Sequence, residues 1–426
     1  MDAAHLIYNV LASAAAPVIL GTAMAKGRLS GRWRQRLGFG LPEPLGTGPR
    51  VWLHAVSVGE VEVAVALASA LKARRPDLTL FMSVTTETGR QTAEKRMDIP
   101  VYAFPVDVYG SPGRALDRLK PDMVIILETE LWPNFLKAAS ERNVRIMLAN
   151  GRISVRSFDG YRRVRFLIKK VLSRFDRLAM IGPDDRDRIV GLGANPNRVT
   201  VIGNAKYDLL SARADLAKVA ELKTVLGITN EPVLVAGSTR EGEEEQIFEA
   251  AEALWPEWPD LRLIIAPRHL GRVGGIVELS RERGLETVVY SRLETGPCPR
   301  VVIVDQMGLL LHLYGVASAA YVGGSLVPLG GQNPMEPAVY GKPVFYGPDM
   351  NDFPDATAVL EAAGASIAVT DPRDLADKVA EILRNPAKAD QMGRAGQMAL
   401  RSHQGASGRL ADMALELLGM DKDALS

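Results

Sequence analysis

The chain has 426 residues, of which 47% are apolar and 24% are charged; this length and composition favour two domains with full hydrophobic cores and a small addition. Its net charge of +1 provides no electrostatic reason to expect a nucleic-acid partner. Cys298 is the only cysteine, which excludes internal disulfides and cysteine-based metal sites and fits a reducing compartment.

The N-terminal stretch differs from the rest of the chain. Residues 6–25 carry no charge, and five basic residues follow within residues 26–36. An uncharged stretch of this length can enter or cross a bilayer, and basic residues behind it favour a cytoplasmic position for the remainder. We therefore predict an N-terminal membrane anchor over residues 1–30. Asn9 and Pro17 weigh against a spanning helix, so spanning, interfacial and buried arrangements all stay open.

Short β-rich runs alternate with segments of helical period along the rest of the chain. The predicted strands lie near Val51–Ser57, Leu78–Val84, Val101–Val106, Met123–Leu127, Val144–Asn150, Leu178–Gly182, Val199–Gly203, Val233–Gly237, Leu261–Ala266, Thr287–Tyr290, Val301–Val304, Ala319–Val322, Pro343–Tyr346 and Ile367–Val369. This alternation indicates βαβ units and parallel sheets. We predict an α/β protein with two Rossmann-like, doubly wound domains that face a central cleft, because ligands of such sheets bind beyond the strand carboxyl ends.

The predicted domain boundaries follow from this pattern. The first domain covers residues 31–205 and the second covers residues 228–400, and a helical, charged linker over residues 206–227 joins them. The remaining residues 401–426 are predicted as a C-terminal helix that could pack back on the first domain.

Ser57, Gly59 and Glu60 follow the first predicted strand and lead into a helix. A carboxylate at a strand carboxyl end can accept the proton of an attacking hydroxyl group, and Gly59 allows another molecule to approach the backbone closely. The alternative is structural, because Ser57 and Glu60 have the spacing of a capping box.

Two carboxylates, Glu128 and Glu130, follow the apolar strand Met123–Leu127. Acidic groups directly after a buried strand are costly unless they face a polar cleft. Alternation along an extended chain would place both on one face, where one could serve a substrate and the other orient it. The alternative is a solvated turn before the next helix.

A basic segment begins with Arg152 and Arg156 and continues through residues 161–174. At helical spacing, an apolar stripe forms from Val164, Leu167, Ile168, Val171 and Leu172. Basic residues occupy most of the remaining surface, and such a helix can rest on anionic headgroups or hold a phosphorylated lipid. The alternative is an ordinary surface helix.

The second half places basic and glycine-rich segments after its strands. Lys206, Ser238 and Arg268 each lie just beyond a predicted strand, and arginine suits bidentate binding of phosphate. Residues 322–343 combine two glycine pairs with a helix start, for which Asn333 is the predicted N-cap and Pro334 the first helical residue.

A glycine-rich turn that faces a helix N-terminus suits a phosphate. Glu336, one turn into the helix, could hold ribose hydroxyl groups or, alternatively, complete a capping box with Asn333. The sequence contains no phosphate-binding loop of the Gly-x-x-x-x-Gly-Lys-Ser/Thr type and no convincing metal-ligand spacing. We therefore expect neither a cofactor nor a metal.

Several motifs occur in order and together carry a family resemblance: Ser57-Val-Gly-Glu60, Glu128-Thr-Glu-Leu-Trp-Pro-Asn134, Asn150-Gly-Arg-Ile-Ser154, Gly203-Asn-Ala-Lys206, Pro267-Arg-His269, and Gly323-Gly-Ser325 with Asn333-Pro-Met-Glu336. The chain closely resembles the 3-deoxy-D-manno-octulosonic acid (Kdo) transferases of lipid A biosynthesis over nearly its whole length. The resemblance implies a GT-B fold and metal-independent, inverting transfer of Kdo from CMP-Kdo to a lipid A precursor, lipid IVA, at the cytoplasmic face of the bacterial inner membrane.

The resemblance also implies roles for particular residues. Glu60 matches the general base and Glu130 a second carboxylate of the catalytic group. The expected acceptor site comprises Ser57, Gly59, Arg152 and Arg156. The expected donor site comprises Lys206, Ser238, Arg268, Gly323, Gly324, Ser325, Asn333 and Glu336.

Three donor-half positions depart from the family pattern. Arg240 and Gln332 stand where the family usually has histidine, and Leu309 stands where it has glutamate. A related membrane-lipid glycosyltransferase with another nucleotide-sugar donor, or an inactive homologue that binds a nucleotide or lipid, therefore stays an alternative.

Overall fold

The computed structural model describes residues 8–9, 32–43, 46–293 and 299–420. The predicted anchor falls almost wholly outside the described residues. Within them, no helix is both long and apolar enough to cross a membrane.

The chain divides into two compact units, the first comprising residues 1–209 and 403–426 and the second residues 210–402. The described part of the first unit contains the strands β1 (Arg50–Ala55), β2 (Thr79–Val84), β3 (Val101–Ala103), β4 (Met123–Leu127), β5 (Arg145–Gly151), β6 (Arg177–Met180) and β7 (Val199–Val201). Its helices are Trp33–Arg36, Val58–Arg74, Glu87–Arg96, Ser111–Leu119, Pro133–Ser140, Val155–Arg163, Arg165–Leu172, Pro183–Gly191 and Ala406–Leu417, with a 3-10 turn at Pro196–Arg198.

The described part of the second unit contains the strands β8 (Val233–Thr239), β9 (Arg262–Pro267), β10 (Thr287–Val289), β11 (Val301–Ile303), β12 (Ala319–Val322), β13 (Val344–Tyr346) and β14 (Ser366–Ala368). Its helices are Leu216–Val225, Glu244–Leu254, Val273–Glu282, Leu310–Val316, Met335–Val339, Pro354–Ala362 and Pro372–Arg384, with 3-10 turns at Leu270–Arg272 and Tyr290–Arg292. The unit boundaries fall at the helix Lys206–Arg213 and near the end of the helix Pro386–His403.

Each sheet is parallel throughout the described residues, and its strand order reverses once. The first sheet has the order β3-β2-β1-β4-β5-β6-β7, and the second has the order β10-β11-β9-β8-β12-β13-β14. The reversal lies between β1 and β4 in one unit and between β8 and β12 in the other. Ligands of doubly wound sheets bind at such a reversal, beyond the strand carboxyl ends. The prediction of two Rossmann-like α/β units is confirmed.

Strand residues alternate between two apolar layers in each unit. In β1, Val51 and Leu53 face one layer and Trp52 faces the other, and all three are fully buried. Because both faces of a parallel sheet are covered, its strands are nearly continuous apolar runs. This is why the strands could be predicted from the sequence.

The C-terminal helix Ala406–Leu417 packs within the first unit. Leu410 and Ala414 join the same apolar layer as Val61 of the helix Val58–Arg74, and Arg74 pairs with Asp412 at 2.7 Å. The segment predicted as a linker, 206–227, is helical, and Val219 and Leu222 are buried in an apolar layer of the second unit.

The basic segment of the first unit differs from its predicted form. Two helices, Val155–Arg163 and Arg165–Leu172, replace one, and the break lies at Val164, whose φ of −118° and ψ of 31° leave the helical region. Ile168, Val171 and Leu172 are buried as expected. The prediction for Val164 is wrong, because the break turns its side chain outward and leaves it 40% exposed.

Candidate active site

The first group of predicted site residues lies where the strand order of the first sheet reverses. Glu60, in the first turn of the helix after β1, is 5% exposed. Its carboxylate accepts hydrogen bonds from the Val56 amide at 2.7 Å, the Ser57 hydroxyl at 3.0 Å and the Ser57 amide at 3.3 Å. The capping interaction considered as an alternative is therefore present, and it fixes this carboxylate at the carboxyl end of β1.

The surroundings of Glu60 raise its affinity for a proton. Burial raises the pKa of Glu60 to about 7, and the neighbouring charges of Glu128 and Glu130 act in the same direction. Burial also raises the pKa of Glu130 to about 7, again with a contribution from Glu128. A carboxylate whose pKa lies close to neutrality can both accept and release a proton under physiological conditions.

Lys206 lies beside this carboxylate cluster. Its Nζ atom is 2.6 Å from Oε1 of Glu128 and 3.5 Å from the position that a Cβ atom on Gly59 would occupy. A Cβ atom at position 59 would be in ordinary van der Waals contact with the ammonium group, which therefore lies next to the turn that precedes the helix of Glu60. Lys206 was expected among the donor residues, and the structure places it in the first unit with the expected acceptor residues.

Hydrogen bonds between loops hold Lys206 and Glu130 in place. Asn150, at the end of β5, accepts a hydrogen bond from the Ala205 amide at 2.8 Å, next to Lys206. The Thr129 hydroxyl accepts one from the Arg152 amide at 3.1 Å and donates to the Arg152 carbonyl. The backbone of Arg152 thus fixes the loop of Glu130. Arg156 is exposed on the following helix.

Sequence reasoning considered Glu128 together with Glu130 as a carboxylate that serves or orients the substrate, but the expected catalytic residues included only Glu130 of the two. Its left-handed backbone, with φ of 56°, places the residue at a sharp turn directly after β4. A non-glycine residue with positive φ is uncommon and clusters at functional sites. The sequence could not show that Lys206, 78 residues later, would pair with Glu128.

The second group lies where the strand order of the second sheet reverses, after β8 and β12. The Gly323 amide donates to the Gly237 carbonyl at 2.8 Å, and a Cβ atom on Gly323 would lie 2.7 Å from the Ser238 carbonyl oxygen. The two loops therefore pack backbone against backbone, which only glycine permits at position 323.

The glycine loop is not free to bind a phosphate through its amides. The Gly324 and Ser325 amides donate to the carboxylate of Glu243, at 2.6 Å and 3.0 Å. The Ser325 hydroxyl donates to the Val322 carbonyl at 2.6 Å and accepts from the Gly347 amide at 2.8 Å. This corrects the expectation that the backbone of Gly323–Ser325 holds the anion, because an internal carboxylate already occupies those donors.

The helix after the second glycine pair begins later than predicted. It starts at Met335, Pro334 is its N-cap, and Asn333 accepts from the Met335 amide at 3.1 Å. The alternative capping box is not formed, because among the described residues the Glu336 carboxylate accepts no hydrogen bond. Burial raises the pKa of Glu336, and the positive charges of Arg213 and Arg268 oppose that rise.

Two side chains meet at the ends of β8 and β9. Arg240 Nη1 lies 2.7 Å from His269 Nε2. A guanidinium group can only donate, so His269 Nε2 accepts and the ring carries its proton on Nδ1. Arg240 is one of the positions that depart from the family pattern. Ser238, two residues before it, has a left-handed backbone with φ of 56°.

Among the described residues, no group of three or more histidine, cysteine, aspartate or glutamate side chains is arranged to hold a metal ion.

The fold indicates the structural class of the protein. The two doubly wound parallel units, each with polar residues at its reversal point, are of the Rossmann-like kind that GT-B proteins contain. A crystal structure of UDP-GlcNAc 2-epimerase from Neisseria meningitidis superposes with a TM-score of 0.61, covering 87% of this chain and 99% of that one at 14% sequence identity. At this identity the likeness concerns the fold alone.

Sequence comparison then gives the family. Residues 31–209 match the family described as 3-deoxy-D-manno-octulosonic-acid transferase (kdotransferase). The 3-deoxy-D-manno-octulosonic acid transferase of Haemophilus influenzae is 32% identical over 399 residues, covering 90% of this chain and 92% of that protein. The chain belongs to the Kdo transferase family and is thus a glycosyltransferase.

A second relative is longer. A bifunctional glycosyltransferase/methyltransferase of Fusobacterium nucleatum is 38% identical over 305 residues, which cover 70% of this chain and 47% of that protein. The chain thus spans about half the length of this relative.

Proposed function

We propose that the chain transfers Kdo from CMP-Kdo to a lipid A precursor, lipid IVA, with Glu60 as the general base. The observation that carries this proposal is a buried carboxylate with a pKa of about 7 at the reversal point of the first sheet. Membership of the Kdo transferase family supports the donor and the reaction class.

The proposed chemistry is a single displacement. A hydroxyl oxygen of the acceptor attacks the anomeric carbon of Kdo, its proton passes to Glu60, and the bond from the anomeric carbon to the phosphate oxygen of CMP breaks. Attack opposite the leaving group inverts the anomeric configuration. Glu130 belongs to the same carboxylate cluster, and we assign it to orientation of the acceptor together with Ser57, Gly59, Arg152 and Arg156.

The departing CMP carries negative charge that cations can stabilise. Arg268 and Lys206 are the proposed partners of that charge, and each well-placed donor contributes about 3 kcal/mol to the barrier reduction. Ser238, Asn333 and Glu336 remain proposed donor contacts, with Glu336 toward ribose hydroxyl groups. Because Glu243 engages the Gly324 and Ser325 amides, we assign these glycine-loop residues to the shape of the donor site and not to phosphate binding.

A panel of donors with purified lipid IVA tests the proposal. We expect turnover of CMP-Kdo by the full chain, with release of one CMP for each Kdo transferred and with activity retained in EDTA. Turnover of a UDP- or CDP-sugar without turnover of CMP-Kdo would show a changed donor, for which Arg240, Gln332 and Leu309 are the residues to examine. Absence of turnover with every donor, despite CMP binding, would indicate an inactive homologue.

We further propose that the enzyme works at the cytoplasmic face of the inner membrane, held by its N-terminal segment and by the basic helices of the first unit. Val155, Val164 and Phe166 are 62%, 40% and 64% exposed, and Arg162 and Arg163 lie exposed among them. Apolar side chains interspersed with arginine are the composition that anionic membrane surfaces bind.

The double variant Arg162→Gln/Arg163→Gln is expected to bind vesicles of phosphatidylglycerol and phosphatidylethanolamine about 30-fold more weakly, since each basic residue contributes about 1 kcal/mol near such a surface. Sedimentation with vesicles measures the affinity. The matched control, Arg394→Gln/Arg401→Gln, removes two exposed arginines of the second unit and should bind like the wild type. Equal binding of both variants would contradict a role for these helices.

A further inference from the structure

Glu243 is a buried carboxylate at the reversal point of the second sheet, and it accepts five hydrogen bonds. The proposed reaction gives it no chemical role. The residue is fully buried and directly precedes the helix Glu244–Leu254. Its Oε1 atom accepts hydrogen bonds from the Ser325 amide at 3.0 Å, the Leu326 amide at 3.0 Å and the Tyr321 hydroxyl at 2.7 Å. Its Oε2 atom accepts from the Gly324 amide at 2.6 Å and the Arg240 amide at 2.9 Å.

This arrangement is an anion-binding concavity filled by the protein itself. Successive backbone amides that converge in a turn form a site for an anion, and Gly324 supplies the left-handed conformation that such a turn requires, with φ of 74°. A carboxylate offers about four lone-pair positions, and here it meets five donors and no acceptor. The group therefore binds as an anion, through charge-assisted hydrogen bonds.

The hydrogen bonds join two loops that come from neighbouring strands. Arg240 belongs to the loop after β8, and residues 324–326 belong to the loop after β12, which pairs with β8. The second glycine pair is connected as well, because the Gly331 amide donates to the Gly324 carbonyl at 2.8 Å. Gln332, Asn333 and Glu336 follow directly. The carboxylate thus fixes the start of the segment that carries the proposed donor contacts, and the hydrogen bond between Gly331 and Gly324 connects the later part to that start.

We infer that Glu243 is a positioning residue for the nucleotide-sugar donor. It occupies the glycine-loop amides, so that the donor's negative charge must be met by side-chain cations, and it holds the loops 238–243 and 323–336 in the geometry that the donor binds. This inference rests on the proposed function as far as the identity of the donor is concerned. The hold of Glu243 on the loops is independent of it.

The variant Glu243→Gln tests the role. An amide of the same size has one acceptor oxygen, and its NH₂ group would face backbone N–H groups that now donate to a carboxylate oxygen. We expect the KM for CMP-Kdo to rise at least tenfold while the KM for lipid IVA stays within twofold. Hydrogen–deuterium exchange of peptides covering residues 321–331 should accelerate at least tenfold.

Glu244→Gln is the matched control. Glu244 is adjacent and equally buried, but its partners are the Thr239 hydroxyl at 3.0 Å and Arg272 at 2.9 Å, with no glycine-loop amide among them. We expect it to leave exchange of residues 321–331 and the donor KM near the wild-type values. Tyr321→Phe removes one of the five donors and keeps the carboxylate, so it should produce a smaller change in the same direction as Glu243→Gln and gives a result even if Glu243→Gln does not fold.

The outcomes separate the two proposals. Wild-type exchange in both Glu243→Gln and Tyr321→Phe, or the same acceleration in Glu244→Gln, would overturn the positioning role. A lower kcat with unchanged donor KM would also overturn it, since a merely structural change reduces the active fraction. If the wild type does not turn over CMP-Kdo, the proposed function fails, and the exchange data still decide whether Glu243 organises the loops.

Discussion

Replacement of Glu60 by glutamine is expected to lower kcat by a factor of about 10²–10⁴, the range that a positioned general base contributes. The amide cannot accept the proton of the attacking hydroxyl group. The single amide oxygen of glutamine can still accept the short hydrogen bond from the Val56 amide and loses the longer one from the Ser57 amide, so the helix start should survive with a loss of about 1 kcal/mol. Nucleotide binding, for which the proposal uses Lys206 and residues of the second unit but not Glu60, should be retained.

The pH profile gives a second measurement of the same role. The base must be deprotonated to act, and burial with the neighbouring carboxylates raises the pKa of Glu60 to about 7. Wild-type kcat/KM should therefore rise with pH through about 7 and level off above it, and this limb should vanish in the residual activity of Glu60→Gln. Steady-state kinetics between pH 5 and pH 9 provide the test.

Glu62→Gln serves as the matched control for Glu60→Gln. Glu62 lies on the same helix two residues later, where it pairs with Arg96 away from the carboxylate cluster. The kcat and the pH profile of Glu62→Gln should equal those of the wild type. Undiminished turnover in Glu60→Gln would remove Glu60 from the role of base, and Glu130 would then be the carboxylate to test.

Glu130→Gln is expected to stabilise the folded protein at pH 8 by about 2 kcal/mol. This free energy follows from the pKa shift of Glu130 at about 1.36 kcal/mol per pKa unit, and it is reduced because the side chain is partly exposed to solvent. Burial and Glu128 raise the pKa of the folded-state Glu130 from 4.5 to about 7. Between these values the folded protein binds more protons than the unfolded chain, so the contribution of Glu130 to stability falls as pH rises. A neutral amide avoids the cost of burying the charge.

Calorimetry at pH 5 and pH 8 measures this effect. The midpoint of unfolding of Glu130→Gln should exceed that of the wild type at pH 8, and the difference should shrink toward pH 5, where the wild-type carboxyl group is protonated. Glu141→Gln, an exposed carboxylate on the helix end that pairs with Lys137, should change neither midpoint. A Glu130→Gln variant that is less stable at pH 8 would show that the charge of Glu130 is not a cost to the fold.

Both predictions concern residues whose positions the sequence indicated. Glu60 and Glu130 follow strands whose apolar runs are readable without any structure, since a strand buried on both faces leaves a continuous local pattern. The reversal point of a doubly wound sheet then makes the carboxyl ends of β1 and β4 neighbours. The apolar pattern of the chain and the rules for doubly wound sheets were therefore enough to predict the two Rossmann-like units and the positions of their strands. They were also enough to predict that polar residues cluster beyond the strands.

The tertiary structure decided which charges meet. Glu243 stands in the acidic run Glu241-Gly-Glu-Glu-Glu245, which is typical of a solvated turn in sequence, yet its partners lie about 80 residues away in the loop after β12. Lys206 has the appearance of a surface cation until the fold brings it to Glu128. The apolar pattern of a buried strand is local, so the sequence by itself determined the two sheets. Polar side chains in different loops meet only because the fold makes their strands neighbours, and this leaves no periodic signal in the chain. The partners of the polar residues were therefore decided by the tertiary structure.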